Sequence, residues 1–338
     1  MKTMKRITVL FFCLLMSMAL IACGSAAGSA DAPAAASDKP ADVATLNIAY
    51  QYGLAYAPAI ICQQKGLIEK AYKEATGLDV KVNWNQMSSG ADINTGIASG
   101  DLSVGFMGVA PALTGISKGV GYKIFTNLSG QEHGLMTYKS DISSLNDLAG
   151  SSEQIALVNT GSIQHIILGL ALDSIGLDAH ALDSNIVAMK HPDGMAALES
   201  QSIACHLTSN PYIYKERDNS ALHEIDEVKN VWSADRSFIV GVASTELQSD
   251  APELYDALCK GISEAVSMIN SDLSAMAEIT SEFNGNTLED EIKYLSAGKY
   301  TTETRGLFEL ATFMYEKEFL EKGFDSYSDI VFANVKGD

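Results

Sequence analysis

From Leu46 onward, short β-patterned runs alternate with helical ones, and this alternation constrains the fold more than any other feature of the chain. Residues 46–50 alternate as a strand. Pro58 opens a helical run over 59–76 with a break at Gly66, and Gly77 closes it. Residues 78–84 follow as a strand, with Leu78, Val80, Val82 and Trp84 on one face. The pattern then predicts helix over 91–99, strand over 102–106, helix over 110–117 and strand over 122–128. In the middle region it predicts strands at 134–138, 154–158, 186–189 and 203–208, and helices at 193–198 and in a turn from Pro211. Ser162 caps a further helix with Ile163, Ile166, Ile167 and Leu170 at i, i+3, i+4 and i+7. After a strand at 238–243 the rest reads as mainly helical. Asp250 and Glu253 make a capping box with Pro252 in the first turn, and residues 302–321 carry Leu307, Leu310, Ala311 and Met314 as one stripe. Such alternation implies an α/β fold, with parallel sheets covered by helices on both faces. With 338 residues, two domains of ~150 residues are expected, and no repeat of solenoid period is visible.

A different kind of segment precedes this pattern. Lys2, Lys5 and Arg6 are followed by an apolar run over 7–22, broken only by Thr8 and Ser17. At 16 residues the run is shorter than the ~20 a bilayer span requires, and it fits the apolar region of a signal peptide. It ends in Leu20-Ile21-Ala22-Cys23-Gly24, which matches the lipobox of bacterial lipoproteins, where the Cys is diacylated and becomes the first mature residue. Cys23 is thus the expected lipidation site, and two acyl chains anchor stably where one does not. Residues 23–45 are dominated by Ala, Ser, Gly, Asp and Pro and are expected to be a disordered tether. The globular part is expected outside the cytoplasmic membrane of a bacterium, held to it by lipid. Lys2, Lys5 and Arg6 are the leader's only charges, so its removal takes the net charge from −19 to −22.

The remaining chemistry is sparse. A hydrophobic fraction of 47% excludes a disordered acidic chain, and 42 acidic against 23 basic residues argue against a nucleic-acid footprint. Cys62, Cys205 and Cys259 follow the leader, each in an apolar run, and are expected as small buried hydrophobes. There is no G-x-S-x-G, P-loop or H-E-x-x-H, and the histidines at 133, 165, 180, 191, 206 and 223 lack metal-ligand spacing. No catalytic set, metal or cofactor is expected. What stands out is a series of loops at strand C-termini: 51–56, 86–90, 107–111, 159–165 and 209–212, rich in Gly, Ser, Asn, Gln and Tyr. In open α/β sheets ligands bind at the carboxyl ends of strands, and several of these loops run into helix N-termini, which attract anions.

Taken in order, the residues carry a resemblance. Leu46-Asn47-Ile48-Ala49-Tyr50-Gln51, Lys65-Gly66-Leu67, Ser88-Ser89-Gly90 and Gly100-Asp101-Leu102-Ser103-Val104-Gly105 come first. Gly108-Val109-Ala110-Pro111-Ala112-Leu113, Ser144-Leu145-Asn146-Asp147-Leu148-Ala149-Gly150, Gly161-Ser162 and Asp193-Gly194-Met195-Ala196-Ala197-Leu198 follow. Over about 46–198 the chain resembles the substrate-binding proteins of ABC importers in the nitrate, sulfonate and taurine group, which includes thiamine-precursor binders. The resemblance implies a two-lobed periplasmic-binding-protein-like fold (type II) with the ligand cleft between lobes. Lobe one would be 46–134 plus 235–338, and lobe two 135–234, joined by two crossings. It departs from the family's pattern at Ser151-Ser152-Glu153, where a Lys and a clear β run are usual and a longer turn is expected here.

The implied function is capture of a small organic molecule or anion, sulfonate-like or a heterocycle such as a pyrimidine, and its delivery to a permease and ATPase. The expected ligand contacts are Tyr52, Tyr56, Ser89, the backbone of Gly108 and Val109, Ser162, Gln164, His165, Asn210 and Tyr212. His191 is expected to serve as a loop cap beside Pro192 and Asp193. A ligand-sensing lipoprotein and an enzyme of the same fold group are the alternatives.

Overall fold

A computed structural model describes residues 43–229 and 231–338; the leader, Cys23 and residues 24–42 of the expected tether lie outside the described residues, whereas Ala44 and Thr45, expected in the tether, already belong to the first strand. Two sheets organise what is described. The first six-stranded sheet begins with β1 (Ala44–Tyr50) and passes through α1 (Ala57–Lys65) and α2 (Leu67–Thr76) to β2 (Val80–Gln86). Gly66, at φ 59°, closes α1 in a left-handed conformation that glycine adopts at no steric cost, which places the helix break where the sequence predicts it. Next come α3 (Gly90–Ala98), β3 (Val104–Gly108), α4 (Val109–Ser117) and β4 (Tyr122–Gly130).

The chain then leaves for a five-stranded sheet. It comprises β5 (His133–Thr137), α5 (Leu145–Leu148), β6 (Ile155–Leu157), α6 (Ile163–Ser174), β7 (Ile186–Ala188), α7 (His191–Glu199), β8 (Cys205–Ser209), α8 (Tyr212–Arg217), β9 (His223–Ile225) and α9 (Asp226–Lys229). It returns as β10 (Ile239–Ser244), which inserts between β4 and β3 of the first sheet. The tail adds α10 (Thr245–Asp250), α11 (Pro252–Ser271), α12 (Leu273–Asn284), α13 (Leu288–Ala297), β11 (Lys299–Tyr300) and α14 (Leu307–Glu316). Strand order is β11-β4-β10-β3-β1-β2 in one sheet and β7-β6-β8-β5-β9 in the other.

Four sequence expectations need correction. The sheets are mixed: β1 pairs in parallel with β2 and β3, whereas β10 runs antiparallel to both β3 and β4. In the second sheet β6 is parallel to β7 and β8, and β5 is antiparallel to β8 and β9. A strand returning from the other half enters beside β4 from the end where β4 leaves, so it must run against it. The expected capping box at Asp250 does not form, because Asp250 ends α10; α11 is capped by Ala251 without a side-chain bond, and Pro252 takes the first helical position. The helix expected over 302–321 is confined to Leu307–Glu316, entered through Gly306 at φ 77°. Cys62 and Cys205 are buried, but Cys259 is half-buried.

A row of aromatic rings runs through the first half. Trp84 stacks on Phe106 (6.5 Å), Phe106 meets Phe125 edge-on (5.9 Å), and Phe125 and Phe332 both contact Tyr255 (6.3 and 5.2 Å). The halves are joined where β4 passes into β5 and where residues 231–238 return. There Trp232 is buried, its Nε1 donates to the Ser237 carbonyl at 3.0 Å, and the Arg236 guanidinium lies 5.1 Å from its ring. Among the described residues no helix is long and apolar enough to cross a membrane.

Candidate functional site

A cavity opens between the two sheets, at the carboxyl ends of β1, β3, β6, β7 and β8. It is built from helix starts. Gly90 opens α3, Gly108 caps α4, Ser162 caps α6 with Ile163 and Gln164 in the first turn, and Lys190 caps α7 with His191 first in the helix. All four helices have nine residues or more. Two come from each half of the molecule. Each start leaves backbone N–H groups without intrahelical partners at the positive end of a helix dipole. The Ser162 hydroxyl takes one of them, accepting from the His165 N–H at 3.3 Å.

Tyr52 and Tyr56 close the wall from the β1–α1 loop, and Gln51 and Ala55 flank them. Burial raises the Tyr56 phenol well above its ordinary range, so it faces the cavity as a neutral hydroxyl. Among the described residues of the lining none is Asp or Glu, and Lys190 is the basic one. Its Nζ stands 5.6 Å from the centre of the Tyr52 ring, a cation–π contact across the cavity between the two halves.

His191 is more than a loop cap. Its ring is buried, with Nε2 3.2 Å from Gln164 Nε2 and Nδ1 3.0 Å from Thr208 Oγ1, and it stacks on Tyr212 at 5.6 Å. Burial pushes it down to about 3, with the nearby His206 adding to the effect, so it is neutral at physiological pH. His206 pairs with Glu216 through Nδ1 and Oε1 at 2.5 Å, both side chains fully buried. Burial drives each of these partners toward its neutral form.

Of the ten expected contacts, Tyr52, Tyr56, Gly108, Ser162 and Gln164 line the cavity. The other five stand outside its lining, each for a physical reason. The Ser89 hydroxyl is held by its own helix, accepting from the Asp92 N–H at 3.2 Å. Val109 is buried, its N–H donating to the Phe238 carbonyl at 3.1 Å. His165 turns the other way, to Asp183 at 2.8 Å. Asn210 is buried against Gln131 (2.9 Å) and the Tyr294 carbonyl (2.7 Å). Tyr212 lies behind His191 as a stacking partner.

The sequence reading did not select Gln51, Ser88, Asn159 and Ser209, although all four fall in the loops it singled out. Lys190 follows the short strand β7, in a loop of the same kind that was not singled out. Phe238 and Ile239 belong to the return crossing and β10. Among the described residues no group of three or more His, Cys, Asp or Glu is placed to share a metal ion. The arrangement presents backbone donors, hydroxyls, the amides of Gln51, Asn159 and Gln164 and one ammonium to a small guest, which is the chemistry of anion binding.

A family model described as the NMT1-like family matches residues 39–282. The taurine-binding periplasmic protein of Escherichia coli (strain K12) is 26% identical over 223 residues, a match spanning 65% of this chain and 65% of that protein. Among solved structures, the alkanesulfonate-binding protein SsuA from Xanthomonas axonopodis pv. citri bound to MOPS superposes with a TM-score of 0.69 at 15% identity. That superposition covers 88% of this chain and 100% of that one. The periplasmic nitrate-binding protein NrtA from Synechocystis PCC 6803 gives 0.66 at 12% identity, over 85% and 84% of the two chains.

Proposed function

The chain belongs to the NMT1-like family, and from that premise we propose that it is the solute-binding component of an ABC importer, capturing a small organic anion. One observation carries the choice of anion: four helix N-termini and Lys190 converge on a cavity whose described lining has no carboxylate. The taurine-, alkanesulfonate- and nitrate-binding proteins to which the chain is similar support the same class of guest. A neutral heterocycle stacked on Tyr52 would leave those donors without an acceptor, so the anion is the better match.

The protein binds and releases without turnover. It works outside the cytoplasmic membrane, anchored through a diacylated Cys23 after removal of residues 1–22, and hands its guest to a permease. Residues 46–134 with 235–338 act as one lobe and 135–234 as the other. Supporting this division, β4 and β5 lie in different sheets, as do β9 and β10. The lobes close on the ligand by hinge motion at the crossings. The ligand contacts are Tyr52, Tyr56, Ser162, Gln164, Lys190 and the backbone at Gly108.

A thermal-shift series tests this. Taurine, longer alkanesulfonates and nitrate are compared with uracil and a neutral amino acid amide. A bound anion at 100 times its Kd stabilises the fold by about 2.7 kcal/mol, read as a rise of several degrees in Tm. A series in which uracil alone raises Tm would overturn the anion reading. For the anion that binds, Lys190→Gln is expected to weaken affinity by about fivefold or less, because the ammonium is solvent-exposed. Calorimetry at low and high salt checks it: the wild-type advantage shrinks as salt rises.

A further inference from the structure

Away from the cavity, α6 carries a chain of side chains toward the opposite half. The Gly161 N–H donates to His165 Nδ1 at 2.9 Å, which makes Nδ1 an acceptor and leaves the proton on Nε2. His165 Nε2 donates to Asp183 Oδ1 at 2.8 Å. The other Asp183 oxygen is 2.8 Å from His180 Nδ1, and His180 Nε2 is 2.7 Å from the Lys317 carbonyl. A carboxylate and a backbone carbonyl only accept. His180 therefore makes both bonds only when both ring nitrogens carry a proton.

Lys317 belongs to the first half. The segment that holds it is rooted on one side by buried Leu310 and Met314 of α14 and on the other by Val331, which bridges to Ile124 of β4. Glu318 lies at φ 63°, a left-handed conformation that residues other than glycine rarely adopt. Past that turn, the Phe319 ring sits 5.2 Å from His165 and 4.2 Å from His180, and a Cβ at Gly169 would stand 2.8 Å from Phe319 Cζ. Lys317 Nζ also pairs with Asp173 of α6.

We infer that His180 is the protonation-dependent pin of a latch between the two halves, linking the 159–165 loop at the cavity to residues 317–319. The latch is firm while His180 is an imidazolium and loses one of its two bonds when His180 is neutral. It rests on the proposed reading that the halves open and close. The groups acting on His180 from its own loop are Asp183 and Asp178; from α6, His165 shares Asp183 with it and Asp173 holds Lys317. From the other half come Lys317 and Glu318, with Lys118, at the end of α4, in the same groove. Burial works against the charged ring, but the hydrogen bonds to Asp183 and the Lys317 carbonyl outweigh it, and the group titrates above its ordinary value. The sign follows: the contribution is complete below the ordinary histidine range and is lost as pH rises through the elevated folded value.

Hydrogen exchange on the ligand-free full-length protein tests the latch, with rates corrected for intrinsic pH dependence. Amides 317–320 are expected to lose about tenfold protection between pH 6 and pH 8.5, the factor set by one lost charge-assisted hydrogen bond. His180→Gln and Phe319→Ala should show the low value at both pH values. Equal pH dependence in the wild type and in His180→Gln would overturn the inference. If His180→Gln fails to fold, NMR titration of the wild-type ring decides: titration above the ordinary value supports the latch, and titration below it removes it. No ligand is used, so failure here leaves the solute-binding reading intact, and a failed anion series leaves the latch standing.

Discussion

Gly108→Val is expected to remove ligand capture while leaving both halves folded. Gly108 caps α4 in the first half, and Ile163 begins α6 in the second. A Cβ at position 108 would stand 2.8 Å from Ile163 Cγ2 and 3.0 Å from its Cβ, closer than atoms of that kind approach. The backbone there, at φ −56° and ψ 150°, is open to any residue, and within its own half a Cβ meets Pro111 Cδ at an ordinary 3.5 Å. The close contact, at Ile163, falls on the closed arrangement. Overpacking of this kind costs about 1–3 kcal/mol, which becomes a loss of affinity of roughly 10- to 100-fold when closure is part of binding. Calorimetry with the best ligand of the anion series measures it, and differential scanning calorimetry checks that Tm is unchanged. Full affinity in this variant would mean that the halves do not approach each other here when the ligand binds.

Gly130→Ala is expected to be strongly destabilising. Gly130 ends β4 where the first crossing begins. A methyl group there would lie 2.0 Å from the Ala234 carbonyl oxygen and 2.6 Å from that of Arg236. These are backbone atoms of the return crossing, and no side-chain rotation relieves the clash. The crossings must separate, or β4 must shift along β10 and β11, its two partners. Either route disturbs the Phe238 N–H bond to the Ser129 carbonyl at 2.9 Å. The expected loss is about 3 kcal/mol or more, with Tm falling by roughly 6–12 °C. A Tm within about 2 °C of wild type would show slack between the crossings that the static geometry does not reveal.

The sequence disclosed the site's location better than its membership. Ser162 was legible because a capping residue stood before an apolar stripe at helical spacing, and Gly108 because a small residue separated a buried strand from a helix. His165 belongs to the same loop region, but one turn into α6 its side chain serves Asp183, and periodicity does not say which way a side chain turns. Asn210 was placed in the right loop and is spent on packing against Tyr294, a residue 84 positions away. Phe238 and Ile239 were out of reach for a related reason, since their place in the wall depends on β10 inserting between β3 and β4. The same insertion makes the first sheet mixed, as β5 does the second, and alternation of apolar residues carries no strand direction. Lys190 had a local signal, the end of a short β run followed by a helix start, in a loop that looked less distinctive than its neighbours.

The positions of the two tryptophans have a practical consequence. Trp84 is stacked within the aromatic row of the first half, where relative motion of the halves leaves its surroundings alone. Trp232 lies in the return crossing, bonded to Ser237 and covered by Arg236, so bending of that segment changes the polarity and quenching around its indole. Under the proposed lobe closure the protein thus carries a silent chromophore and a responsive one, and its intrinsic fluorescence becomes a label-free gauge of hinge angle with Trp84 as the internal standard.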